Sequence, residues 1–353
     1  MKNRAWTGLG SVALCGVLLA ITPRTTGQTL PNYGYEWATI THPGNRNANA
    51  LEAPRFHPPF RSVPIKVGRV DYEYRIAKTQ VTVGQWFEFV NAYFPHMTDP
   101  RYTRLSGALT GNWIWATNRN PSQPPAFIME PGSDKYATDM SWRFAARYVN
   151  WLHNDKINEK WAFENGVYDT ATFTDNPDGS FNDQQEHSPG AKFWIPTMNE
   201  WIKANHFDPD RYGPGEAGYW PYNSTSDIEL IGGPPGSPGA QTDNGGWGDP
   251  FTHYPVDSYP DTLSPWGLLA ASGGTLEWTE AIAYGRGLPK DRFLLGSFRW
   301  GALEWDRLDT FRISHPSYFP FMGLRLSSVV PPPATFVGLG AASLFFVLQR
   351  RRK

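Results

Sequence analysis

Short amphipathic runs separated by long turn-rich stretches set the pattern of this chain. Val70 to Ile76 alternates apolar and polar positions, which predicts a half-buried strand. From Thr82 to Tyr93 the apolar positions move to helical spacing, with Thr82 placed as the N-cap. Ser141 opens a second helix running to about His153, with Phe144, Ala145, Tyr148, Val149 and Leu152 on one face. Thr197 and Glu200 have capping-box spacing and start a third, shorter helix. Gly166-Val167-Tyr168 begins a hairpin-like region, and Asn176-Pro177-Asp178-Gly179 is a turn signal. Residues 28–69 show no sustained periodicity and read as an extended lead-in, and 95–136 read as a long surface insertion. Residues 208–250 are almost pure turn chemistry, a kind of segment that is usually functional or held by an ion or ligand.

The two ends differ from this middle. Lys2 and Arg4 precede an apolar run, Val12 to Ile21, that is short for a membrane span. This predicts an export signal over residues 1–27, cut near Gly27-Gln28. Cys15, the only cysteine, lies within it, so the mature chain would carry no thiol and no disulfide. At the other end, Val330-Pro331-Pro332-Pro333 precedes an apolar run, Phe336 to Leu348, and then Gln349-Arg350-Arg351-Arg352-Lys353. That run would be about 20 Å long as a helix, against about 30 Å for a bilayer core. Residues 329–353 resemble the PEP-CTERM sorting signal read by exosortase-type processing machinery, with Pro332 where that signal usually has Glu. The layout implies a protein exported to the cell surface or extracellular matrix, transiently anchored through its tail.

Composition narrows the middle. The 353 residues carry a net charge of −1, which argues against a nucleic-acid binder. Trp 16, Tyr 16 and Phe 21, beside Gly 34 and Pro 32, predict a loop-rich domain with an aromatic core. The eight histidines form no metal-protease spacing, and there is no phosphate loop or nucleophile elbow. Asp208, Asp210 and Asp243 sit in Gly/Pro loops, where acidic residues usually form turns.

The densest stretch is Pro265 to Trp278, where Gly273 and Gly274 precede Glu277, set between Leu276 and Trp278. A carboxylate there must reach solvent or be held by a bound cation or an arginine, because burying it unpaired costs several kcal/mol, roughly. Gly273 to Trp278 resembles the Gly-Asn-Val-Trp-Glu-Trp segment of the formylglycine-generating enzyme (sulfatase-modifying factor) family. Other blocks follow the family order: residues 74–92, Asp139-Met140-Ser141-Trp142, Trp194-Ile195-Pro196-Thr197 with Glu200-Trp201, Ser264 to Leu268, Gly296-Ser297-Phe298, Arg312 and Gly323-Leu324-Arg325. The resemblance covers 70–328. It implies an α+β, irregular C-type-lectin-like fold of small antiparallel sheets and two or three short helices.

The resemblance also implies sites. Calcium would be held by Ser272, Gly273, Thr275 and Glu277, and a second calcium by Asp249 and Phe251. Trp201, Trp278 and Glu200 would be structural, with Arg312 and Arg325 paired to carboxylates such as Glu200 or Glu277. Indole N–H groups would be satisfied by backbone. The family's oxidising members bind copper(I) through two cysteines, and those positions fall on Trp300 and Trp305. Indole supplies no thiolate for a soft copper ion, which makes copper an unsuitable cofactor and points away from the family's oxidation. The expected function is therefore non-catalytic binding of an extracellular polysaccharide or matrix protein. Trp113, Trp115, Trp247, Trp300 and Trp305 are either core residues or platforms for sugars. The alternative is an enzyme with a thiol-free variant of the family chemistry.

Overall fold

In the computed structural model, residues 30–59, 65–97, 107–116, 127–235, 239, 240, 242 and 252–332 are described. The strands in chain order are β1 (Trp37–Ile40), β2 (Tyr74–Ala77), β3 (Ile114–Ala116), β4 (Phe127–Met129), β5 (Phe193–Trp194), β6 (Phe207–Asp208), β7 (Gly218–Tyr219), β8 (Leu276–Gly285), β9 (Leu288–Leu295), β10 (Arg312–Ser314), β11 (Met322–Gly323) and β12 (Ser327–Ser328). The helices are α1 (Val83–Tyr93), α2 (Gly107–Thr110), α3 (Trp142–His153), α4 (Lys160–Glu164) and α5 (Met198–His206). Small sheets, few helices and much irregular backbone make this the α+β, loop-rich architecture expected.

One four-stranded sheet has the order β1-β2-β12-β5, all antiparallel. The other has the order β10-β9-β8-β11, where β8 and β9 form a long hairpin and β11 joins parallel. The hairpin turns at Arg286-Gly287, both at positive φ, a backbone twist that matches the flanking strands.

The helices begin where the sequence places them, because the caps are local. Thr82 Oγ1 accepts from Gln85 N–H, and Gln85 returns a bond to the Thr82 N–H at 3.0 Å. Ser141 caps α3 through Phe144 N–H. The Thr197–Glu200 capping box closes at 2.8 and 3.1 Å. Such caps contribute about 1 kcal/mol each. Val83, Trp86, Phe89, Val90 and Tyr93 turn one face of α1 into the main aromatic core, which also takes Trp142, Tyr148 and Trp151 of α3. A second core forms around Trp201, Ile202, Phe207, Tyr219, Leu295 and Leu308.

Three expectations need correction. Residues 28–69 are not a mere lead-in over their described part, since β1 pairs with β2 and Tyr35, Ala38 and Ile40 are buried. The strand expected over 70–76 is shorter, with pairing confined to 74–77. Within 95–136, Ala108, Leu109, Ile114 and Phe127 enter the main core, so the described part is more than a surface insertion. The two terminal signals, residues 1–27 and nearly all of 329–353, lie outside the described residues. Among the described residues, no helix is long and apolar enough to cross a membrane.

Candidate functional site

The first half of β8 is buried on both faces, so Glu277 cannot reach water there. An arginine holds it. Arg325 donates to Glu277 through Nε at 2.9 Å and Nη2 at 2.8 Å, while Gln80 Nε2 and Trp201 Nε1 donate at 3.0 and 2.6 Å. The remaining Arg325 donors close the carbonyls of Ala77, Lys78 and Leu269. Trp278 Nε1 donates to the Met140 carbonyl, as expected, but Trp201 and Trp194 donate to carboxylates. The Nε1 atoms of Trp142 and Trp151 have no partner among the described residues.

Glu200 is fully buried but has no arginine. It accepts from Trp194 Nε1, Tyr72 Oη and the Thr197 N–H, and burial raises its pKa. Arg312 pairs with neither Glu200 nor Glu277. Its guanidinium lies 3.7 Å from the centre of the Trp305 ring and donates to the Phe311 carbonyl.

The residues expected to hold calcium are engaged with their neighbours. Ser272 Oγ donates to Asn223 Oδ1 at 2.6 Å, Gly273 N–H donates to Ser297 Oγ at 3.0 Å, and the Thr275 carbonyl accepts from Gln80 at 2.8 Å. A divalent cation on Glu277 would have to displace the Gln80 and Trp201 donors and sit against the Arg325 guanidinium. Of the expected calcium ligands, the Glu277 carboxylate and the Thr275 carbonyl are thus already engaged by protein donors. Asp249, Phe251 and Trp247 lie outside the described residues.

Behind the Ser272-Gly273 turn lies a buried polar nest that sequence reading missed. Gly296, at φ +74°, lets the chain turn where a Cβ would meet the Ala271 carbonyl at 2.8 Å. Ser297 Oγ then donates to Asp306 Oδ1 at 2.5 Å and approaches Thr242 Oγ1 at 3.1 Å. Burial pushes the Asp306 carboxyl up to about 7, against the hydrogen bond from Ser297. Asp306 Oδ2 and Asn223 Nδ2 have no hydrogen-bond partner among the described residues.

Next to Ser297 and Asp306 in the chain the aromatics gather. Phe298 stacks on Phe321 at 4.7 Å and packs against Trp305 at 5.6 Å, and Trp300 meets Phe321 at 5.0 Å. Gly301 permits this approach, because a Cβ there would lie 2.9 Å from the Trp305 ring. Trp300 is 36% exposed. Arg299 lies 4.8 Å from the Trp300 ring centre and 5.2 Å from that of Phe321. Both expected tryptophans thus sit in one arginine-bearing aromatic cluster, whereas Trp113 packs on Tyr136 and His253 and Trp115 is exposed in β3.

Elsewhere, a cleft of about 380 Å³ is lined by Arg69, Tyr72, Thr197, Asn199 and Glu280, among others. Its buried Glu280 is already bonded to Tyr168 Oη, the His187 N–H and His187 Nδ1.

The model of the sulfatase-modifying factor enzyme 1-like domain matches residues 36–290. The chain belongs to that family. No curated protein matches it. Among solved structures it is similar to CarF, at 17% identity over 84% of this chain and 99% of CarF, with a TM-score of 0.51. It is also similar to variable protein 1 of Treponema denticola, at 15% identity over 84% of this chain and 95% of that one, with a TM-score of 0.50. Both likenesses concern the fold. That family match ends before Trp300 and Trp305, the residues expected at the family's copper-binding positions, and each of these indoles lies beneath a guanidinium group. Indoles flanked by positive charge do not fit a copper(I) ion.

Proposed function

We propose that this sulfatase-modifying factor family member is exported, held at the cell surface or in the extracellular matrix, and binds an extracellular polysaccharide or protein without the family's thiol oxidation. The observation that carries the reading is the cluster of Phe298, Trp300, Trp305 and Phe321 with Arg299 and Arg312. Aromatic faces with one wet side suit the apolar face of a sugar ring or a peptide side chain. The N-terminal and C-terminal sequence signals support export and surface attachment.

The test is retention of the purified full chain on the host's own extracellular polysaccharide, with Trp300→Ala alongside. Retention lost in the variant supports the reading. A thiol-free enzyme is the alternative, favoured by the open Oδ2 of Asp306 beside Ser297. Aldehyde formed above background in a cysteine-containing sulfatase peptide would overturn the binding-only reading.

A further inference from the structure

Four arginines among the described residues are buried: Arg143, Arg292, Arg299 and Arg325. A buried guanidinium carries five N–H donors and a charge whose desolvation is costly, so it normally meets carboxylates or carbonyls. Three of the four do. Arg143 is bonded to Asp183, Asp175 and Ser317. Arg292 lies over Trp142 and donates to the carbonyls of Glu280, Gln185 and Gln184, with its Nε alone left unpartnered. Arg325 is saturated by Glu277 and three carbonyls.

Arg299 is the exception. It is 5% exposed, its Nε is sealed from solvent without a partner, and it makes no hydrogen bond or ion pair among the described residues. Its positive charge is opposed by Asp139, which lies outside ion-pair contact and is occupied by Asn112 and the Phe321 N–H. Burial pushes the Asp139 carboxyl up to about 7, so near neutral pH even that counter-charge is partial. The other nearby charges give no relief. Arg312 is positive, Asp306 is bonded to Ser297, and Glu304 is paired with Arg55. What surrounds the guanidinium is aromatic: the Trp300 and Phe321 rings, with Trp300 itself reaching solvent.

We propose that Arg299 is the anion-recognising residue of this surface, and that the ligand is an acidic polysaccharide whose sugar stacks on Trp300 while its carboxylate or sulfate ester meets the guanidinium. Arginine matches the planar, two-oxygen geometry of either group. The nearby aromatic faces exclude water from the contact and strengthen it. This proposal rests on the polysaccharide-binding reading above and narrows it to anionic chains.

The test is titration of the full chain, followed by tryptophan fluorescence, with three probes: a glucuronate-containing oligosaccharide, the same oligosaccharide after carboxyl reduction, and a sulfated oligosaccharide. The wild type is expected to bind the two acidic probes at least about tenfold more tightly than the reduced one, an advantage that shrinks at high salt. Arg299→Gln should abolish that advantage while leaving affinity for the reduced probe unchanged. Arg299→Lys, which keeps the charge and loses the fork, should retain part of it and guards against a folding defect in the glutamine variant. Trp300→Ala should weaken all three. Equal affinity of the wild type for acidic and reduced probes, or wild-type behaviour of Arg299→Gln, overturns the anion assignment but leaves polysaccharide binding standing. Failure of all three probes overturns both.

Discussion

Arg325 and Arg299 are both buried, at 0% and 5% exposure, yet the fold treats them in opposite ways. Every nitrogen of Arg325 is bonded, and it ties β8 to the backbone at Ala77, Lys78 and Leu269. Arg299 meets rings and no acceptor. The carboxylates repeat the contrast: Glu277 has donors on both oxygens, whereas Asp306 keeps one oxygen open. A saturated buried charge is explained by the fold around it. An unsaturated one costs stability, and such costs are found where a surface must meet something else.

The contrast can be broken by mutation, and the largest effect falls on the saturated side. Arg325→Met leaves Glu277 buried without its partner, so unfolding free energy should drop by about 3–5 kcal/mol in urea denaturation. A loss below about 1 kcal/mol would mean that the Glu277 knot is not the anchor its geometry suggests.

Asp306→Asn should alter the pH dependence of stability. The folded carboxyl titrates near 7 and the unfolded one near 4. Between these values the folded state holds the extra proton, so wild-type stability from this group is full below about pH 4 and falls as pH rises to about 7. The slope is at most about 1.4 kcal/mol per pH unit. The asparagine variant lacks that slope, and melting curves from pH 4.5 to 8 should show it gaining steadily on the wild type. A constant gap would remove Asp306 from the unsaturated class.

Arg299→Met should leave stability unchanged or raise it by about 1 kcal/mol, because it removes a buried charge with no bonded partner. A loss like that of Arg325→Met would erase the comparison. The smallest effect belongs to Arg312→Ala, which removes a half-buried cation from the face of Trp305 and should cost about 0.5–1 kcal/mol in the same denaturation series.

The legible parts of this molecule were local. The caps at Thr82, Ser141 and Thr197 depend on residues a turn apart, and each forms as its sequence indicates. Glu277 announced its need for a partner because it lies between two apolar residues, and arginine was one of the two candidates. Arg312 misled, since a sequence motif cannot tell a carboxylate partner from a ring. Strands of two residues, such as β5, β11 and β12, carry no readable alternation and exist through their neighbours. The nest was invisible for a different reason: Asn223, Thr242 and Asp306 are far apart in the chain, and no local pattern links them to Ser272 and Ser297. Arg299 stands beside Trp300 in the sequence, but its isolation appears only once every other partner is placed.

The order of the first sheet has a consequence for how the chain acquires its shape. Ser327–Ser328 is an inner strand, inserted between Tyr74–Ala77 and Phe193–Trp194. A polypeptide emerging from its N-terminus therefore waits until Ser327 and Ser328 arrive before those two earlier strands can be joined. Contacts that span so much of the chain slow folding. This sheet stays open while the chain is being made, and closes only when Ser327 and Ser328 slot in.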